Sequence, residues 1–210
     1  MDEIINRKIR ELETQTKQWR FSDLSEQLYI WFDLFNENFF QGRLKNPVIS
    51  FERTRSDTLG HFALDRNAFG LKWNTNINCL YVDLPLVDTL ATLLHEMTHQ
   101  WQQEFGKKGT KRRTSSYHNV EFRDMTKSMG IPSNESGATL SYQNPFLLLL
   151  KNHGVDIYQK SFSEEMPVIS KRPGKSKLKK WHCGCTNVRV AISDFQAQCL
   201  KCGNRFILDT

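Results

Sequence analysis

Apolar positions recur with a helical period near the start of the chain. Residues 3–19 set Ile5, Ile9 and Leu12 among charges at helix-face spacing, which predicts a helix. Ser22-Asp23 has the character of an N-cap. Leu24, Leu28, Trp31, Phe32 and Phe35 follow at helix-face spacing up to a break at Gly42, and this aromatic stripe reads as core. From Pro47 the period changes. Val48–Phe51, Gly60–Leu64, Leu71–Asn74 and Ile77–Asp83 predict four short strands, the last with Cys79 and Tyr81 on one face. A helix is expected from about Pro85 to Phe105, stopped by Gly106. After a loop from Gly106 to Ser116, a further helix is expected to carry His118, Phe122, Met125 and Met129 and to stop at Gly130-Ile131-Pro132. Residues 133–144 are rich in Ser and Asn and read as loop; Pro145–Lys151 fits either a strand or a short helix.

Helices mixed with a few short strands predict an α+β protein. Residues 166–180 contain Pro167, Pro173, Gly174, five Lys and one Arg, the composition of a linker. The expected organisation is an N-terminal helix over 1–20, a main domain over 21–165, a basic linker over 166–180 and a cysteine-rich module over 181–210.

The bulk numbers narrow this picture. A chain of 210 residues with 39% hydrophobic content has the length to bury a core in one main domain plus an appendage. It has no run of 18 apolar residues, so no membrane span is expected. The charged start Met1-Asp2-Glu3 lacks the apolar region of a signal peptide, so an intracellular protein, cytoplasmic or nucleoid-associated, is expected, and a monomer. The formal charge of +6 is unevenly placed: residues 171–210 carry a net +7 and residues 1–170 a net −1. A concentrated basic segment can neutralise phosphates, which points to nucleic acid; a solvated tail is the plainer reading.

The chemistry starts at His95-Glu96-Met97-Thr98-His99, inside the apolar run Leu90–Leu94. On a helix, positions i and i+4 share a face, so His95 and His99 can hold one metal ion while Glu96 sits beside it. A hydrolytic zinc needs three protein ligands and an open position. Glu104, His118, Glu121 and His153 are the downstream candidates for the third. Glu104 lies five residues past His99 on the same helix and points elsewhere. His118 is best placed, at the start of a helix that can swing back across the first, and Glu121 is its rival. Tyr117 or Tyr142 could serve as an oxyanion donor, and His61 could line a cleft.

Four of the five cysteines cluster as Cys183-x-Cys185 and Cys199-x-x-Cys202, with Cys79 apart. Four thiolates suit a structural zinc, with His182 as a possible substitute ligand. About 30 residues are too few for a self-sufficient core, so metal is expected to hold this module.

The run Leu34–Leu44 (Leu-Phe-Asn-Glu-Asn-Phe-Phe-Gln-Gly-Arg-Leu), the His-Glu-x-x-His helix and His118-Asn119-Val120-Glu121-Phe122 together resemble the SprT-like family. Its members include a protease of DNA–protein crosslinks, and bacterial members end in a zinc ribbon beginning Cys-x-Cys, as Cys183-Gly184-Cys185 does. The resemblance covers Ser22 to the C-terminus. It departs at Asn119, where the family has Gly. It implies a zincin-like domain followed by a zinc ribbon, with one catalytic Zn2+ on His95, His99 and His118, Glu96 as the catalytic residue, and one structural Zn2+ on Cys183, Cys185, Cys199 and Cys202. The implied activity is a zinc metallopeptidase of the DNA damage response, acting on proteins at single-stranded or damaged DNA. A non-catalytic DNA-binding or regulatory zinc protein is the alternative. Lys107, Lys108, Lys111, Arg112 and Arg113 between the second and third ligands, with Lys177, Lys179, Lys180 and Trp181 ahead of the ribbon, are the expected nucleic-acid contacts. Trp181 or Phe195 would stack on an unpaired base.

Overall fold

The N-terminal helix, α1 (Asp2–Gln15), forms as expected but turns a polar face inward. Its one buried residue is Asn6, whose Nδ2 donates to the carbonyls of Asn46 and Lys72, both at 2.9 Å. Arg10 donates to Asp33 and to Asn46 Oδ1, and Glu13 accepts from the Tyr29 hydroxyl at 2.6 Å. Ile4, Ile5 and Leu12 are exposed, and no side chain of α1 joins the hydrophobic core. Ile5 and Leu12 of the expected stripe therefore lie outward while Ile9 is half-buried, and directional bonds rather than core contacts dock the helix.

The computed structural model describes residues 1–107, 118–157 and 178–209, and the chain forms two compact units, Met1–Val168 and Ile169–Thr210. In the first, α2 (Ser22–Phe40) buries Leu28, Trp31, Phe32 and Phe35, as the stripe predicts. Ser22 is the first residue of α2 and not its cap; no side chain caps this helix. Each such large apolar side chain removed from water contributes about 1.5–3 kcal/mol. Tyr29, also buried, ties three elements together: its hydroxyl donates to Glu13 and accepts the Ile49 N–H at 3.1 Å.

The sheet of this unit consists of β1 (Val48–Ser50), β2 (Gly60–Phe62) and β3 (Asn74–Ile77), in the order β1-β3-β2. β1 runs parallel and β2 antiparallel to the central β3. The central strand occupies the gap between two expected strands: Leu71–Trp73 and Asn78–Asp83 are not strand. The reason is chemical. Asn74, Asn76 and Asn78 are all buried, in a segment whose composition disfavours a strand. Their amides bond the chain passing beside them. Asn76 Oδ1 accepts the Glu52 N–H at 2.6 Å, and Asn78 Nδ2 donates to the carbonyls of Arg55 at 3.0 Å and Thr58 at 2.6 Å. Side-chain amides thus satisfy backbone groups that a longer sheet would otherwise pair.

Three further helices complete the unit: α3 (Leu86–Glu104), α4 (Val120–Met129) and α5 (Phe146–Asn152). α3 sends Leu90, Leu93, Leu94 and Met97 into the core with the α2 aromatics, Phe146 and Leu150. The apolar segment after Pro145 is therefore helix. The end of α3 differs in its cause from the expectation. Gly106 has no left-handed backbone; it is needed for room, since a Cβ there would lie 2.9 Å from Glu121 Oε2 and 3.0 Å from Gln102 Cα.

The second unit holds β4 (Lys179–His182), β5 (Asn187–Val190) and β6 (Ile207–Leu208), antiparallel in the order β5-β4-β6. Trp181, Cys183 and Cys199 are its buried residues among those described. The class is α+β. No helix among the described residues is long and apolar enough to cross a membrane.

Candidate metal centres

α3 carries His95, Glu96 and His99 toward α4 and β2. His118 lies two residues ahead of α4, not within it, and its ring reaches back over both α3 imidazoles. Its Nε2 lies 3.0 Å from His95 Nε2 and 3.2 Å from His99 Nε2. Phe122, fully buried one turn into α4, touches all three rings, with centroids 4.9 Å from His95, 4.4 Å from His99 and 4.8 Å from His118.

The rings of His99 and His118 have further polar neighbours. The Gln102 side chain is hydrogen-bonded to the His99 ring, and its Nε2 has no partner, so Oε1 is the accepting atom. The backbone carbonyl of Glu135 faces the His118 ring and favours its protonated form. The His99 and His118 Nε2 atoms face each other at 3.2 Å. Nitrogens this close either share a proton or bind a common cation. Burial, reinforced for His95 and His99 by neighbouring imidazoles, holds all three rings below the usual histidine value, His95 at about 3. Neutral imidazole is the form a metal requires. Nitrogens bound at 2.0–2.1 Å to a tetrahedral zinc stand about 3.3–3.4 Å apart, close to the spacing found here.

Glu96 is buried beside this cluster, and burial raises its carboxyl to about 8 against the opposing effect of the Phe62 N–H. A cation at the three imidazoles favours the ionised form and draws that value down. Gly60 lets β2 approach: a Cβ there would lie 2.8 Å from Thr92 Cγ2 and 3.3 Å from Glu96 Cγ.

The rival ligands are occupied elsewhere. Glu121 accepts the Lys107 N–H at 2.5 Å, Glu104 accepts from Gln100 at 3.0 Å, and His153 packs edge-on against Trp31. Tyr142 donates to the buried Asp88 in the first turn of α3, about two turns before His95. His61 is exposed on β2. Asn119 caps α4: its Oδ1 accepts the Phe122 N–H at 2.9 Å, while Nδ2 donates to the Lys107 carbonyl at 3.0 Å. The residue that departs from the SprT-like pattern thus joins the end of α3 to the start of α4.

In the second unit the four Sγ atoms of Cys183, Cys185, Cys199 and Cys202 lie within 4.8 Å of one another, and none of these cysteines is in a disulfide. Cys185 Sγ is 3.5 Å from Cys183 Sγ and 3.7 Å from Cys199 Sγ. A disulfide needs about 2.05 Å, whereas thiolates on a tetrahedral zinc stand about 3.8 Å apart. Gly184 and Gly203 supply the left-handed residues of the two turns, at φ 92° and 72°. His182 pairs in β4 and is outside the group. Both constellations can bind a metal ion.

The expected nucleic-acid contacts fare unevenly. Lys108, Lys111, Arg112, Arg113, Tyr117 and Lys177 lie outside the described residues. Lys107 and Lys179 are exposed, and Lys180 pairs with Asp209. Trp181 corrects the expectation: it is buried edge-on against Phe195, so its ring is not offered to a base.

The sequence reading missed Gln102, Glu135, Gly137 and the platform role of Phe122. The spacing His99-x-x-Gln102 placed one of these on the ligand face, but loop residues 133–139 carried no periodic signal. No protein-family model matches the chain, and no curated protein matches it.

Proposed function

We propose that the chain is a zinc-dependent metallopeptidase of SprT-like type, a zincin-like unit followed by a zinc ribbon, hydrolysing proteins bound or crosslinked to DNA. The observation that carries the reading is the convergence of three neutral imidazoles beside the buried Glu96. Three ligands leave a tetrahedral zinc one exchangeable position, whereas the four cysteines close their site, as a structural zinc requires. Zinc, when bound by His95, His99 and His118, supplies Lewis acidity toward a water and a scissile carbonyl. Glu96 accepts the proton of the attacking water and returns it to the leaving amine nitrogen. The Phe62 N–H orients that carboxylate, and Gln102 and the Glu135 carbonyl are the polar neighbours of the His99 and His118 rings.

The nucleic-acid partner rests on charge. Residues 171–210 carry a net +7, and Lys107, Lys108, Lys111, Arg112 and Arg113 fall between the second and third imidazoles in sequence. Neutralising those five is expected to weaken DNA binding and flatten its salt dependence.

The deciding experiment is cleavage of a DNA-bound protein, with and without DNA, by the wild type and Glu96→Gln. Loss of cleavage in Glu96→Gln with zinc retained supports the reading. Equal cleavage by both overturns the mechanism, and cleavage by neither favours a non-catalytic DNA-binding zinc protein.

A further inference from the structure

His118 is the one imidazole of the three that no helix holds. His95 and His99 are fixed on α3, but His118 precedes α4 and follows the basic stretch from Lys107 to Arg113 in sequence. Its orientation must come from neighbours, and a single turn joins Phe122 and Arg123 of α4 in providing them.

Residues Ser133 to Thr139 form a bridge-closed turn organised by one side chain. Asn134 Oδ1 accepts the N–H groups of Ser136 and Ala138, each at 3.0 Å, and the Ser136 hydroxyl at 2.7 Å. The Gly137 N–H donates to the Asn134 carbonyl at 3.1 Å, and the Asn134 N–H to the Ala138 carbonyl at 3.0 Å. Ser133 Oγ lies 3.0 Å from Thr126 Oγ1, which anchors the turn to α4.

This turn meets His118 at its ring. The Glu135 carbonyl faces the ring and favours its protonated form. Gly137, at φ +90°, presses its bare Cα on the ring edge: a Cβ there would lie 2.5 Å from Nε2 and 2.9 Å from Nδ1, and closer still to Cε1. Arg123 completes the hold from α4, donating to the His118 carbonyl at 3.0 Å with its guanidinium 3.7 Å from the Glu135 carboxylate.

We propose that the Asn134–Gly137 turn is the positioning element of the third metal ligand, with the Glu135 carbonyl and the side-chain-free edge of Gly137 setting the His118 ring. This rests on the reading of His95, His99 and His118 as a metal centre. The carbonyl selects the tautomer that presents Nε2 to the metal. Glycine is required twice over, for the left-handed backbone and for the space the ring occupies.

The molecule contains its own control. Gly154 also has a left-handed backbone, at φ +74°, but a Cβ there meets nothing within 4 Å. Gly154→Ala therefore reports backbone strain alone, and Gly137→Ala reports strain plus displacement of the ring. The test uses the full chain. Metal affinity of the histidine centre is measured by chelator competition with Zn2+. The Co2+ form separates the cysteine site by its thiolate charge-transfer absorption, and the His118 ring 15N shifts report the tautomer.

Gly137→Ala is expected to weaken the histidine centre about tenfold or more, the range typical of lost ligand support, and to alter the His118 shifts; Gly154→Ala is expected to do neither. In a His118→Ala background, Gly137→Ala is expected to cost no more thermal stability than Gly154→Ala. Asn134→Ala, which loosens the turn without touching the ring, is expected to weaken metal binding in the same direction. Wild-type affinity and unchanged His118 shifts in both Gly137→Ala and Asn134→Ala overturn the positioning role. If His118→Ala itself binds metal as the wild type does, the metal-centre reading fails, and the role of the turn with it.

Discussion

The Phe122 ring stacks on the His99 imidazole, with centroids 4.4 Å apart and planes inclined by 29°. Because the same ring also touches His95 and His118, one apolar side chain sets the packing of the whole ligand group. Phe122→Ala is expected to destabilise the first unit by about 3–5 kcal/mol and to weaken metal binding at the three histidines. Phe122→Leu, which retains most of the volume, is expected to cost less stability yet still loosen the ligands. Urea unfolding and chelator competition measure the two effects separately.

Asn119 performs two tasks with one amide. Asn119→Ala removes the helix cap, worth about 1 kcal/mol, and the bond to the Lys107 carbonyl. Asn119→Asp keeps the acceptor for the Phe122 N–H and loses only the donor, so its destabilisation is expected to be smaller. Equal midpoints for the alanine and aspartate variants in urea would show that the cap contributes nothing.

Glu13 gives a signature of pH. Burial, offset in part by the Tyr29 hydroxyl, raises its carboxyl from the ordinary value of 4.5 to about 6. Between those values the folded chain binds more proton than the unfolded chain, so this group's contribution to stability falls as pH rises from about 4.5 through about 6. The penalty is fully present above that window. Wild type minus Glu13→Gln, compared by unfolding across this range, is expected to show that fall; a flat difference would count against the buried pair.

Tyr142 is engaged with Asp88 rather than with the imidazoles. Tyr142→Phe is expected to lower stability by about 1 kcal/mol and to leave metal affinity unchanged. A selective loss of turnover at full stability would instead restore Tyr142 as an oxyanion donor.

Metal removal separates the two units. The second buries only Trp181, Cys183 and Cys199 among its described residues, whereas the first has an extensive apolar core. A strong chelator is expected to collapse the amide dispersion of residues 179–208 in NMR spectra while the signals of α2 and α3 persist. Unchanged spectra for the second unit would show that thiolate–metal bonds do not hold it.

Long periodic elements were legible in the sequence. The aromatic stripe of α2 and the core face of α3 follow from spacing, because both helices dock by apolar area. The histidine pair on α3 was legible for the same reason, and His118 from its place in the chain. Three features were not. Asn74, Asn76 and Asn78 occupy buried positions where a pattern of hydrophobic residues was the only available cue. The inward face of α1 is polar, so periodicity selected the opposite side. The support of His118 comes from a backbone carbonyl and a missing side chain, neither of which leaves a mark in residue type beyond the Asn134 and Gly137 of a turn.

The docking of α1 has a consequence for how the molecule opens. Lifting this helix breaks the bonds of Asn6, Arg10 and Glu13 while withdrawing none of its own side chains from the hydrophobic core. The free-energy cost is set by hydrogen-bond exchange with water, so α1 is positioned to breathe as a separate unit of cooperativity. Its amides are expected to exchange with deuterium ahead of those of α2, with a rate that tracks ionic strength through the Arg10–Asp33 pair rather than the global unfolding of the chain.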